Sequence, residues 1–304
     1  MSVNAKRILI FGAGVVGSIY ALRFFQQGLD VTILARNKRL EELRKNGLQY
    51  DVNGTIKSVP VKTIEKLDHD EIYDFIFVPV RFDQIESALV QLQDNRSKTI
   101  ITLTNTVGYN SWVEIIGDRL LPGFPGAGGD MRDGVLYAQF GSEKHQGTIF
   151  GEISGEITER VNELAQILEA AELHYEIQDD IESFHITHAA TAIVVKHFYK
   201  NNAMLDIQTA KSDSTLSKVA EELKHNIYML EQAGIPVIPH QTKIMRDWSK
   251  KEIMAMYRRM LSNDFTINVL LGEHAIKQQS EISLLGTAFH EKLGCISQKQ
   301  EDCK

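Results

Sequence analysis

Cysteine is scarce in this sequence of 304 residues, with two copies, Cys295 and Cys303, near the carboxyl terminus. Neither is accompanied by ligands at metal-site spacing, so we expect no disulfide framework and no zinc site. Long apolar runs are also lacking: no stretch reaches 18 residues, and the first apolar segment is too short for a signal peptide. These absences predict a cytoplasmic protein in a reducing compartment, with no membrane partner.

Positive charge is not in excess either. The chain has 33 basic and 40 acidic residues, a net charge of −7, and the basic residues are scattered, so nucleic acid is not expected as a partner. The hydrophobic fraction of 43% is that of an ordinary globular protein. A chain of this length exceeds the usual size of one core, which predicts two domains.

The first half alternates short apolar runs with longer runs of helical period. This rhythm is typical of parallel strands joined by helices, as in Ile8 to Phe11, Val15 to Gln27 and Val31 to Leu34. Further strands are predicted at Phe75 to Val80, Thr99 to Leu103 and His174 to Ile177. Val135 to Phe140 and Gly147 to Phe150 are interpreted as an antiparallel pair that extends the edge of the same sheet.

After residue 179 strand patterns become rare, and helices are predicted at Ile181 to Tyr199, Ser214 to Ala233, Trp248 to Ser262 and Ile267 to Leu293. The predicted class is therefore α/β, with an amino-terminal Rossmann-type, mostly parallel sheet followed by an all-α second domain. We place the domains at residues 1–178 and 179–304.

The first predicted strand leads directly into a glycine-rich loop, Gly12-Ala13-Gly14-Val15-Val16-Gly17. The GxGxxG pattern is weak alone, but here it lies in the strand, turn, helix, strand order of a dinucleotide-binding unit. Gly12 would permit the tight turn, Gly14 would let the backbone approach a pyrophosphate, and Gly17 would let helix and strand pack closely. A glycine-rich turn without a ligand and a site for FAD are the alternatives.

The residues after the second strand, Leu34-Ala35-Arg36-Asn37-Lys38, bear on the choice of dinucleotide. NAD enzymes usually carry an acid here for the ribose hydroxyls, whereas the guanidinium of Arg36 suits a 2′-phosphate. The predicted cofactor is therefore NADP. A solvated helix start is the alternative interpretation of Arg36.

At these residues the sequence resembles the ketopantoate reductase family, NADPH-dependent enzymes that reduce a 2-keto acid to a 2-hydroxy acid. The matching segments are the loop Gly12 to Gly17, Arg36, Val80-Arg81, Asn105 with Gly108, and Arg132-Asp133-Gly134. The resemblance implies that Arg81 contributes to the cofactor site and that Asn105 lies between nicotinamide and substrate. Asn105 could instead cap the helix near Ser111 or stabilise its own turn.

The chain departs from the family at the catalytic lysine, which begins the central helix of the second domain four residues before an asparagine. Ile186 or Thr187 stands at the lysine position, and Ala190 or Thr191 at the asparagine position. His188 and Thr191 share a face of that helix, so we interpret His188 as the replacement proton donor, titrating near neutrality, and Thr191 as a substrate contact. A packed histidine is the alternative.

The resemblance also implies a glutamate on a late helix near cofactor and substrate, for which Glu281 is the best match. His274 is interpreted as a surface residue. The leading hypothesis is an NADP-dependent oxidoreductase that transfers hydride to a small carbonyl substrate, a 2-keto acid, bound between the two domains. The resemblance also implies a homodimer as a possible assembly. The rival is a non-catalytic NADP-binding sensor that has lost the lysine.

Overall fold

A computed structural model describes residues 6–140, 147–201, 203–263 and 279–302. The chain divides into two compact units, of which the first contains residues up to 104 together with 109–181. The second contains the short segment 105–108 and the chain from residue 182 onward. The predicted domain boundary after residue 178 lies just before this division. The predicted histidine His274 and the first part of the last predicted helix lie outside the described residues.

The first unit is built on an eight-stranded sheet with the order β12-β11-β8-β7-β6-β1-β2-β5. Its strands are β1 (Arg7–Phe11), β2 (Asp30–Leu34), β5 (Lys62–Ile64), β6 (Phe75–Val78), β7 (Ile100–Leu103), β8 (Leu120–Phe124), β11 (Thr148–Phe150) and β12 (Tyr175–Ile177). All neighbouring pairs are parallel except β8 with β11. The central strands β6 and β7 are entirely buried, which is why β6 is continuously apolar and β7 is apolar apart from Thr102.

A second sheet of four strands has the order β4-β3-β10-β9. Its strands are β3 (Leu48–Val52), β4 (Thr55–Val59), β9 (Ala127–Arg132) and β10 (Val135–Phe140). The predicted antiparallel pairing of Val135–Phe140 with residues 147–150 is therefore wrong. Strand β10 pairs with β9 and β3 in the second sheet, whereas β11 pairs with β8 and β12 in the first.

Five helices join the strands of the first unit: α1 (Val15–Gln26), α2 (Asn37–Asn46), α3 (Ile85–Leu92), α4 (Asn110–Ile116) and α5 (Glu159–Ala170). Helix α1 packs against β1 and β2 of the main sheet and also against β9 and β10 of the second sheet. Helix α5 begins at the capping residue Thr158, whose hydroxyl accepts the Val161 N–H. Helix α1 therefore packs against both sheets and shares one hydrophobic core with them.

The second unit is mostly helical, with α6 (Ile181–Ala192), α7 (Ile207–Ala210), α8 (Asp213–Gln232), α9 (His240–Ile244), α10 (Lys250–Met260) and α11 (Gln279–Asp302). A 3-10 turn at Ile193–Phe198 continues α6 and contacts α8 and α11. Strands β13 (Tyr199–Lys200) and β14 (Ala203–Met204) form a short hairpin. Asn226 on α8 is fully buried and donates a hydrogen bond to the Ala190 carbonyl at 2.9 Å, which ties α8 to α6.

The predicted fold class is confirmed: a mostly parallel sheet with helices precedes a helical region. None of the described helices is both long enough and apolar enough to cross a membrane.

The end of β1 and the start of α1 approach closely at Gly17. A Cβ built on Gly17 would clash with the Gly12 carbonyl oxygen, and it would lie 3.0 Å from Cγ2 of Ile10 and 3.1 Å from Cγ of Pro79. No side chain fits there, which is the packing role predicted for this glycine. By contrast, a Cβ on Gly14 meets no atom within 4 Å.

Replacement of Gly17 by alanine is expected to lower the free energy of unfolding by about 1–3 kcal/mol, because the added methyl forces helix and strand apart. Denaturant unfolding measures the difference from wild type. Gly14→Ala is the matched control, and we expect its free energy of unfolding to stay within about 1 kcal/mol of wild type. Equal stability of the two variants would contradict the close approach at Gly17.

Candidate functional site

The glycine loop turns sharply at Gly12, which has a φ of 116°, a conformation that favours glycine. Its N–H lies 3.0 Å from the carbonyl oxygen of Leu34, the last residue of β2. This hydrogen bond holds the ends of β1 and β2 together. The loop therefore starts at a fixed point on the carboxyl edge of the sheet.

Helix α1 begins without a side-chain cap. Gly14 is its N-cap residue, and the first hydrogen bond of the helix runs from the Ser18 N–H to the Gly14 carbonyl at 2.9 Å. The N–H groups of Val15, Val16 and Gly17 have no acceptor within the helix, as for any α-helix start. Gly14 has a φ of −70°, which other residues also adopt, and a Cβ added to it would meet no atom within 4 Å. The fold itself therefore does not require glycine at this position. Such a start suits a phosphate that approaches the backbone.

Arg36 is the N-cap residue of α2 and is exposed at the end of β2. The first turn of α2 contains no acidic residue, and Lys38 pairs with Glu42, one turn further along the helix, at 3.5 Å. The structure thus leaves Arg36 at the surface beside the glycine loop. A carboxylate that could bind ribose hydroxyls is not found in this turn.

Arg81 follows β6 and begins a 3-10 turn at Phe82–Gln84. Its guanidinium forms two hydrogen bonds with the carboxylate of Asp83, from Nε at 3.0 Å and from Nη2 at 3.1 Å. Arg81 is therefore paired with a neighbouring acid, and its contribution to the cofactor site stays a prediction.

Asn105 and Glu281, two of the predicted catalytic residues, are in contact within the second unit. The Asn105 Nδ2 donates to Glu281 Oε1 at 3.1 Å across 176 positions of sequence. Glu281 is only 3% exposed in the first turn of α11. Because the carboxylate accepts, the Asn105 amide nitrogen must face it, and Oδ1 points elsewhere. Asn105 Oδ1 is buried and accepts no hydrogen bond within the described ranges.

The alternative role of Asn105, as a helix cap, does not hold. Helix α4 starts after Tyr109 and has no side-chain cap. The turn after Asn105 is held instead by Thr106, whose hydroxyl donates to the Gly108 carbonyl at 2.7 Å. Asn105 is thus committed to Glu281 rather than to local structure.

His188 and Thr191 lie on α6 as the spacing predicted. The Thr191 hydroxyl donates to the His188 carbonyl at 2.8 Å, so this donor is used by its own helix. The His188 ring stacks on Phe184, with centroids 6.2 Å apart. Burial lowers the pKa of His188 to about 4, in contrast to the titration near neutrality that the sequence suggested. At neutral pH the imidazole is therefore uncharged.

Three of the four positions aligned with the family lysine and asparagine belong to the core, and the fourth, Thr191, is half-buried. Ile186 and Ala190 are buried, and Thr187 is 1% exposed, with its hydroxyl 3.2 Å from the Ile238 N–H. A lysine at either position would have to enter packed protein. His188, in contrast, is only half-buried.

The second unit also has a groove of about 660 Å³. Its lining comes from the segment after α6 and from α11: Ile193, Lys196, Tyr199, Lys200, Asn201, Gln279, Ile282, Ser283, Gly286, Thr287, His290 and Glu291. On α11 this face is opposite to Glu281, because His290 is nine residues, or about 180°, further round the helix. None of the predicted site residues lines the groove.

Comparison with known proteins supports the resemblance. Residues 8–144 match the family model described as ketopantoate reductase PanE/ApbA. The 2-dehydropantoate 2-reductase of Archaeoglobus fulgidus is 29% identical over 182 residues, 59% of this chain and 58% of that protein. The enzyme of the same name from Mesorhizobium japonicum is 27% identical over 210 residues, 58% of this chain and 61% of that protein. Residues 8–144 are thus similar to the ketopantoate reductase family, and identities below 30% make the similarity a distant one.

Solved structures share the ketopantoate reductase fold at low identity. The 2-dehydropantoate 2-reductase of Geobacter metallireducens superposes with a TM-score of 0.66 at 18% identity, covering 94% of this chain and 99% of that one. A ternary structure of D-mandelate dehydrogenase with NADH and anilino(oxo)acetate gives 0.69 at 16% identity, covering 95% and 99%. The alignments to the two curated reductases span about three fifths of their length.

Arg39, which lies within the matched residues 8–144, contacts the glycine loop, and no pattern in the sequence predicted this contact. Its guanidinium is turned inward from α2 and donates to the Ala13 carbonyl in the glycine loop at 3.3 Å. The only hint in the sequence is its place next to Leu40, the first buried residue of α2. Ala13 and Gly134, which accept its hydrogen bonds, are too distant along the chain to be recognised from a local pattern.

The low pKa of His188 predicts a pH-dependent stability. The unfolded chain takes up the proton near pH 6.5 and the folded chain only near pH 4, so this contribution is complete above pH 6.5 and is lost as the pH falls towards 4. By pH 5 the loss is about 2 kcal/mol. Denaturant unfolding at pH 7 and pH 5 measures it.

The His188→Gln variant is expected to lose less stability than wild type between these pH values. The control is His290→Gln, which removes an exposed histidine and should follow wild type. Identical pH profiles for wild type and His188→Gln would refute the low pKa of this imidazole.

Proposed function

We propose that this chain is an NADPH-dependent reductase that transfers hydride to a small carbonyl substrate, in the first instance a 2-keto acid. The observation that carries the proposal is the position of the predicted residues along one edge of the parallel sheet. Strands β7, β6, β1 and β2 are adjacent and parallel. Along the chain, these strands are followed by Asn105, Arg81, the loop from Gly12 and Arg36, respectively, and Asn105 begins the short segment that belongs to the second unit.

Open α/β sheets bind ligands at the carboxyl ends of their strands. Four adjacent strands extend over about 15 Å at the usual spacing, so the row offers an extended edge and not a single point. The uncapped start of α1 suits the pyrophosphate, and the exposed Arg36 suits a 2′-phosphate at one end of the row. The NADH in D-mandelate dehydrogenase supports a nicotinamide cofactor, and the choice of NADP depends on Arg36.

A bound reduced nicotinamide would supply the hydride. Asn105 has one N–H committed to Glu281 and a second N–H available, which can donate to the oxygen of a substrate carbonyl. A donor placed there stabilises the negative charge that develops on oxygen as hydride reaches the carbon. Glu281 acts as the positioning group, because it decides which way the amide faces.

The proton that completes the alcohol needs a source other than the family lysine. A neutral imidazole carries one N–H, so His188 can donate a hydrogen bond to a substrate carbonyl without being charged. With its pKa lowered to about 4 by burial, His188 does not hold an extra proton at neutral pH. In this proposal the proton therefore comes from water, and His188 polarises the carbonyl.

The test is oxidation of NADPH, followed by the absorbance of the reduced nicotinamide, against a panel of 2-keto acids and simple ketones. Turnover of at least one member supports the reductase. Tight NADPH binding without turnover across the panel would favour the non-catalytic sensor. Failure of the wild-type chain to bind either NADPH or NADH would refute both functions.

Asn105→Ala is expected to lower kcat/KM by about a hundredfold, because it removes one donor to the developing oxyanion. Binding of NADPH, measured without substrate, should change much less. Asn110→Ala is the matched control, since Asn110 is exposed at the start of α4. Wild-type activity in Asn105→Ala would exclude this residue from the reaction.

Arg36→Ala is expected to weaken NADPH binding by about tenfold or more and to leave NADH binding unchanged, because a charged hydrogen bond to the 2′-phosphate is lost. Dissociation constants for both dinucleotides give the ratio. The control is Arg44→Ala, which removes an exposed guanidinium from the same helix. An unchanged NADPH to NADH ratio in Arg36→Ala would contradict the assignment of NADP.

A further inference from the structure

We propose that Arg39 is a positioning residue of the dinucleotide loop, acting through the carbonyl of Ala13. The inference rests on the proposed function, because it concerns the same cofactor. It assigns to Arg39 a role separate from that of Arg36: Arg39 orients the loop that receives the pyrophosphate and leaves the 2′-phosphate to Arg36.

Two donors hold the Ala13 carbonyl. The Nε of Arg39 lies 3.3 Å from this oxygen, and the hydroxyl of Ser18 lies 3.2 Å from it. Nη2 of Arg39 is in turn 3.4 Å from the Ser18 hydroxyl, so the three groups form a closed cluster. Ser18 is fully buried, and the side chain of Arg39 is 18% exposed. The cluster is thus largely shielded from solvent.

Fixing this carbonyl also fixes the N–H that binds the ligand. The Ala13 carbonyl and the Gly14 N–H belong to one planar trans peptide, in which C=O and N–H point in opposite directions. With the oxygen held toward Arg39, the Gly14 N–H faces away from the cluster. If the peptide turned over, a carbonyl dipole would replace that N–H and would repel a pyrophosphate.

The guanidinium also joins the loop to the second sheet. Nη1 of Arg39 donates to the Gly134 carbonyl at 3.0 Å and pairs with Glu42 at 3.3 Å. Gly134 lies in the turn between β9 and β10 with a φ of 81°. A Cβ added to it would lie 3.1 Å from Glu42 Oε2. This contact gives the Arg132-Asp133-Gly134 segment a structural role: its turn supports Arg39 from the side away from the loop.

Arg39 remains a cation in this setting. Desolvation lowers its pKa and the carboxylate of Glu42 opposes that shift, while arginine stays protonated in proteins. The planar fork reaches Ala13, Gly134 and Ser18 at once, which the single ammonium of lysine cannot do. The position therefore requires arginine and not merely a positive charge.

The experiment compares the dissociation constants of NADPH and NADH for the full-length chain and its variants, by titration calorimetry. Arg39→Gln is expected to weaken both dinucleotides by the same factor, about tenfold, because both contain the pyrophosphate. Arg39→Lys should not restore binding. At saturating cofactor kcat should be retained, while KM for the cofactor rises. Lys38→Gln is the matched control, because Lys38 also pairs with Glu42 but is exposed to solvent.

Should Arg39→Gln unfold, Ser18→Ala supplies the second test, since it removes the other donor to Ala13 and should weaken both dinucleotides to a smaller extent. Wild-type affinity in Arg39→Gln, or a loss confined to NADPH, would overturn this inference alone. Wild-type protein that binds neither dinucleotide would overturn the proposed function as well.

Discussion

The close approach of helix α1 to strand β1 at Gly17 is the constraint on which the candidate site depends. Because no Cβ fits between Gly17, Ile10 and Pro79, the helix starts directly against the end of the strand. The free N–H groups of its first turn then lie at the carboxyl edge of the sheet, where β2, β6 and β7 also end. Arg39 and Ser18 act on the same loop from within the core, so close packing and loop orientation are one arrangement.

A second long-range contact gives Asn105 its orientation. The oxygen and the nitrogen of an asparagine amide are nearly equal in size, so their hydrogen-bond partners decide the direction in which each atom points. Glu281 can only accept when ionised, and it lies in a helix that begins far along the chain. Lys292 on the same helix pairs with Glu182 at 2.7 Å, and its Nζ would lie 3.2 Å from a Cβ on Gly108. Helix α11 therefore contacts the segment 105–108 near both of its ends.

Local patterns predicted the parts of the fold that depend on local physics. Buried strands such as Ile8–Phe11 and Phe75–Val78 are continuously apolar, and the turn at Gly12 needs glycine, so both are visible in the sequence. The second sheet was missed because β4 is almost fully exposed and carries no alternating apolar pattern. Arg39 and the neutral state of His188 depend on partners or burial contributed by distant segments. No local pattern records such contacts.

The family's lysine is replaced in this chain, but the helix that would carry it still has polar groups on another face. Ile186 and Thr187 are packed into the second unit, and Thr187 bonds to the backbone around Pro236, so this part of α6 now serves the core. The face that retains polar groups carries His188, whose pKa of about 4 results from burial. Under the proposed function, neutral donors, the imidazole and the Asn105 amide, would stabilise the alkoxide that develops on the substrate. The hydride step would then be less sensitive to pH near neutrality than one that depends on a protonated lysine.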